Sequence, residues 1–116
     1  MTRALAGPVR DESLTIALRE GSPEHLRTGL LTLLARQGEE GVADWRDLIL
    51  DLAPYHHCSR RLGLEPRVLF EWVARKLPPD VAGTVRALGE RAEIDPQEFG
   101  FALVEEEDGP RYYWTR

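Results

Sequence analysis

Apolar residues recur at helical spacing along most of this chain and give way to short β-prone runs near its end. Ser22-Pro23-Glu24 reads as an N-cap, a proline at the first helical position and an acid in the first turn. Leu26, Leu30, Leu33 and Leu34 follow at i, i+4, i+7 and i+8, which predicts a helix over 23–37 that Gly38 and Gly41 stop. A second helix is expected over 45–62, capped by Asp44, with Trp45, Leu48, Ile49, Leu52 and His56 on one stripe. Pro54 lies inside it and predicts a kink between residues 50 and 54. Leu62-Gly63-Leu64 has the form of a glycine C-cap with an apolar residue behind it.

Pro66 opens a third helix, expected over 66–77, whose apolar arc (Val68, Leu69, Phe70, Trp72, Val73, Leu77) is wide enough to predict a central place in a bundle. Pro78-Pro79 ends it, and Asp80 is expected to cap a fourth helix over 81–92 with Val81, Val85, Leu88 and Ala92 on its stripe. The run Ser13 to Glu20 fits a short helix or a strand equally well. Asp95-Pro96-Gln97-Glu98 carries the cap and proline of one helical turn, with Glu98 placed to close a capping box. Phe101-Ala102-Leu103-Val104 and Arg111-Tyr112-Tyr113-Trp114 then predict a hairpin over about 101–115, turning at Asp108-Gly109, with pairing that starts after Pro110.

The fold class expected from this pattern is mainly α: a compact bundle of four to five short helices with a small C-terminal β-hairpin packed on it. Residues 1–11 have no periodicity and are expected to form a flexible arm, with a single helical domain over 12–116. The length of 116 residues suits one domain and can bury a core without disulfides or a metal. Leu30, Leu52 and Trp72 are expected among the core side chains. The one cysteine, Cys58, permits no internal disulfide and points to a reducing, cytoplasmic setting. The chain start lacks the apolar run of a signal peptide, and no stretch reaches the length of a membrane span.

The net charge of −5 argues against nucleic acid as the partner, because the fourteen arginines and one lysine are scattered and form no basic stripe. Tyr55-His56-His57-Cys58 gathers two of the three histidines and the only thiol. Consecutive helical residues point about 100° apart, so these cannot converge on one metal, and no cofactor is expected. His56 falls on the apolar stripe as a packing residue, and His57 points nearly the other way. Cys58 lacks a base on its own face, which argues against nucleophilic catalysis. Asp44, Asp47 and Asp51 share the opposite face of the same helix, as a solvated surface or as hard-cation ligands. The serines lack a nucleophile-elbow context, and no glycine-rich loop could cradle phosphate.

What remains is acidic surface: Glu39 and Glu40, Asp47 and Asp51, and above all Glu105, Glu106, Glu107 and Asp108 at the hairpin tip. Like charges held together cost stability and can steer a basic partner, although solubility alone would also account for them. The function expected is therefore a small non-catalytic protein that binds a basic protein, such as a toxin, through an acidic face. Bacterial immunity proteins and antitoxins are of this small, acidic, helical class. A helix-turn-helix regulator, built on the joint at Gly63-Leu64-Glu65-Pro66, is the alternative, and a small enzyme is the second.

Overall fold

The computed structural model describes residues 5–9, 12–40 and 45–116, with the side chains of residues 37–40 and 45 outside the description. In chain order the elements are β1 (Gly7–Pro8), α1 (Glu12–Glu20), α2 (Pro23–Glu40), α3 (Trp45–Arg61), α4 (Pro66–Ala74), α5 (Pro79–Glu90), α6 (Pro96–Phe99), β2 (Phe101–Glu106) and β3 (Gly109–Trp114). Among the described residues six helices thus pack with a small antiparallel sheet, and the radius of gyration, 13.6 Å, matches the roughly 13 Å of a compact chain of this length. Among the described residues no helix is long and apolar enough to cross a membrane.

The run left open between helix and strand is helix α1, which buries Leu14, Thr15, Ala17 and Leu18. Helix α2 buries Leu26, Leu30 and Leu33 as its periodicity predicts, but it runs to Glu40. Gly38 therefore does not stop it: a glycine inside a helix costs only about 1 kcal/mol. The expected stop at Gly41 and cap at Asp44 lie outside the described residues. Ser22 spends its hydroxyl on the His25 ring nitrogen, 2.8 Å away.

Helix α3 continues through Pro54 and touches every other helix, so α3, not α4, is the central one. It ends in a Schellman motif: Leu64 N–H donates to the Ser59 carbonyl at 2.9 Å and Gly63 N–H to that of Arg60 at 3.0 Å. Gly63 supplies the required left-handed backbone, with φ +75°.

Helix α4 is shorter than expected, closing at Ala74 in i to i+3 turns through Lys76 and Leu77. Only part of its wide arc is core. Phe70, Val73 and Ala74 are buried, while Trp72 is half-buried and Val68 is 58% exposed. Helix α5 begins two residues before the expected position, because Pro79 takes the first helical place and Pro78 acts as N-cap; Asp80 falls in the first turn. It ends at Glu90, leaving Ala92 exposed beyond it. Asp95 caps α6 by accepting from Gln97 N–H at 3.0 Å. Glu98 does not complete a capping box and pairs with Arg91 instead, at 3.2 Å.

The sheet order is β1-β3-β2. Residues expected to be a loose arm include β1, which pairs Gly7 with Trp114 and Pro8 with Tyr113, and Val9 is buried behind it. The hairpin pairs Phe101 with Trp114 down to Glu106 with Gly109, so the two-residue turn is Glu107-Asp108. Pairing includes Pro110, opposite Glu105, where none was expected. Antiparallel pairs alternate between hydrogen-bonded and non-bonded, and the position beside the closing pair is a non-bonded one that needs no N–H. Phe101 and Tyr112 bury on the helix side, with their rings edge-on 5.7 Å apart.

Candidate functional site

The hairpin tip concentrates the acids that the sequence singles out, and α1 holds it from the side. Arg19, in the last turn of α1, donates from Nε to the Pro110 carbonyl at 3.0 Å and from a terminal nitrogen to that of Gly109 at 3.2 Å. The same guanidinium lies 3.1 Å from Asp108 and 3.7 Å from Glu106. Gly109 is required here: a Cβ would meet the Arg19 side chain at 3.1 Å, and its φ is +125°. Arg19 holds the Asp108 carboxyl below the usual range, chiefly through their hydrogen bond. Glu106 also meets Arg111 at 3.3 Å and accepts from the Tyr113 hydroxyl. Glu106 and Asp108 are thus neutralised within the fold. Glu105 and Glu107 are exposed and make no ion pair among the described residues.

Asp51 is placed elsewhere. It is half-buried and bound by Arg116 at 3.1 Å, just beyond the other end of β3, and burial raises its carboxyl pKa despite that arginine. Asp47 is exposed one turn away and adds to the rise. Six strand residues span about 20 Å, so the tip and the Asp47/Asp51 patch lie at opposite ends of the hairpin and do not form one face. The side chains of Glu39 and Glu40 lie outside the described residues.

The string Tyr55-His56-His57-Cys58 is divided as helical geometry requires. His56 is buried edge-on against Phe70 with Nε2 3.0 Å from the Arg91 carbonyl oxygen; burial lowers its pKa. His57, expected to point away from the core, is half-buried against the sheet. Its Nδ1 shares a 2.7 Å hydrogen bond with the Tyr112 hydroxyl, and its ring stands edge-on to Phe101. Burial first, then the charges of Arg61 and His56, lowers its pKa. The Cys58 thiol is fully buried and pushed up to about 12 by burial. That is the reverse of an activated thiolate. Among the described residues no three metal-ligating side chains converge.

A surface that the periodicity hides lies between α2 and α4. Pro23, Glu24, Leu26 and Arg27 form one wall, and Leu64, Glu65, Val68 and Leu69 the other. Its only signal in the sequence is the excess width of the α4 apolar arc, which is more than one buried face can use. Compared with protein-family models, curated proteins and solved structures, the chain matches none of them.

Proposed function

We propose that this chain is a non-catalytic protein-interaction protein that binds a basic protein partner through the acidic tip of its C-terminal hairpin, as bacterial immunity proteins and antitoxins bind theirs. The observation that carries this reading is the brace at the tip. Arg19 ties down Glu106, Asp108 and the carbonyls of Gly109 and Pro110, and the hairpin end so fixed presents Glu105 from β2 and Glu107 from the turn with no partner of their own among the described residues. A braced backbone has little freedom left to lose on association, and exposed charges of one sign raise the rate of encounter with the other. The net charge of −5 acts in the same direction. A cytoplasmic site of action belongs to the proposal, on the strength of a single, buried cysteine. A helix-turn-helix regulator would need free polar base-reading side chains on the outer side of α4, where Val68 and Trp72 interrupt the exposed Arg67 and Arg75 and Glu71 already pairs with Arg75 at 3.4 Å.

The test is affinity capture from host extract with the wild type and with the Glu105→Gln/Glu107→Gln variant, at low and raised salt. The expected catch is a basic protein that the wild type holds, that salt releases and that the variant loses. Equal retention by both chains, or an acidic catch, overturns the reading.

A further inference from the structure

Helices α2 and α4 face each other across an open groove: Pro23 and Glu24 share it with Leu64 and Glu65, and Arg27 shares its continuation with Trp72 and Arg75. The floor of this groove is apolar and open. Val68 is 58% exposed, and Leu69 and Trp72 are half-buried. Large side chains left this open along one groove of a small chain mark an interaction surface.

The charges along the rim point to the occupant. Glu24 and Glu65 stand at one end; Arg75 and Lys76 stand at the other, with the Lys76 ammonium 4.8 Å from the centre of the Trp72 ring. Glu71 also lines this end, but Arg86 at 2.6 Å and Arg75 at 3.4 Å share its carboxylate, so the end keeps a net positive charge. In the middle, Arg27 lies 6.0 Å from the Trp72 ring, and Arg67 and Glu90 bring one charge of each sign to the same rim. From Glu65 to Arg75 the helix rises about 15 Å, and Val68 and Trp72 straddle the midpoint. A two-fold axis through that midpoint sets Val68 of one copy on Trp72 of the other, and each acidic end on the other's basic end. An acidic or a basic helix would meet like charge at one end of the groove. A second copy of this chain, running antiparallel, satisfies both ends at once, as an isologous contact must.

We propose that the chain self-associates as an antiparallel two-fold dimer through the α2–α4 groove. This surface is distinct from the hairpin tip and does not depend on the function assigned to the tip.

Sedimentation velocity and light scattering from micromolar to near-millimolar concentration test it. The wild type is expected to dimerise. Val68→Asp should weaken the dimer by at least about tenfold, because it puts a charge on the axis contact. Glu24→Lys/Glu65→Lys and Arg75→Glu/Lys76→Glu should each weaken it comparably by setting like charges together. The quadruple variant, with both ends inverted, should dimerise again to within a few-fold of wild type. All five positions are exposed, and thermal unfolding checks the fold of each variant; should Val68→Asp not fold, the charge-inverted set carries the test alone. The Glu105→Gln/Glu107→Gln variant should dimerise like wild type, which separates this proposal from the function assigned to the tip. A wild type that stays monomeric throughout, a dimer indifferent to the substitutions, or a quadruple variant that fails to recover each overturns the proposal.

Discussion

His56 is buried with one ring nitrogen committed and the other bare. A carbonyl oxygen can only accept, so the Arg91 contact places the neutral ring's proton on Nε2 and leaves Nδ1 as a lone pair with no partner. Protonating Nδ1 would bury a charge and an unsatisfied donor together, which is why burial depresses the pKa of this residue. An unfolded chain would bind that proton at the ordinary histidine value, near 6.5. Between the depressed folded pKa and 6.5 the unfolded state therefore binds more protons, and stability falls as pH falls. The contribution is complete above 6.5 and is lost on the acid side; His57, also depressed, acts in the same direction. Urea midpoints measured from pH 7.5 down to pH 5 should decline. His56→Asn keeps a donor for the Arg91 carbonyl without a titrating ring, so the decline should be shallower in that variant. A wild-type profile that is flat below 6.5 would contradict this account.

Helices α4 and α5 pack more closely than a side chain at their crossing would allow. A Cβ on Gly89 would sit 2.7 Å from the Phe70 Cβ and 3.4 Å from the Arg67 Cα, neither of them the free end of a flexible side chain. Gly89→Ala must therefore push the helices apart, an overpacking cost of about 1–3 kcal/mol that outweighs the roughly 1 kcal/mol an alanine gains in helix propensity. Gly83, on the same helix, faces open space, so Gly83→Ala keeps the propensity gain alone and should stabilise by about 0.5–1 kcal/mol. Opposite shifts of the two thermal midpoints are expected, and equal shifts would refute the close crossing. Periodicity makes the existence of both helices legible, because Val81, Val85 and Leu88 repeat on one face and are buried. It hides which helix is central. Helix α3 carries His56, Ser59, Asp47 and Asp51 within its span and looks amphipathic, yet His56 and Ser59 are fully buried among its apolar residues. Helix α4 looks central because its arc is wide, and a count of apolar residues cannot tell a buried side from a side left open. The pairing of β1 has no local signal at all. Gly7 and Pro8 are unlike strand residues, and their place is set by an edge of β3 nearly the whole chain away.

The acidic tip is legible in the sequence as a string of four charges, but its division into two roles is not, because Arg19 lies some ninety residues upstream. That division makes the tip testable without a partner. Glu106 and Asp108 answer to Arg19, which links α1 to the hairpin across the turn. Glu106→Gln/Asp108→Asn should therefore lower the thermal midpoint and speed hydrogen exchange in β2 and β3. Arg19→Ala should do so more strongly, by about 1–2 kcal/mol, since it also forfeits two charge-assisted bonds to backbone carbonyls. Glu105→Gln/Glu107→Gln removes the same charge from the same end of the hairpin but breaks no ion pair among the described residues. It should leave the midpoint unchanged or raise it slightly, because it relieves repulsion in a chain of net charge −5. On a basic partner the order should reverse. The Glu105/Glu107 variant should associate more slowly and lose much of its salt dependence, because exposed charges beyond the reach of an internal arginine are the ones a partner's field meets. If the two double variants shift stability equally, the brace does not divide the tip, and the assignment of Glu105 and Glu107 to partner binding loses its structural basis.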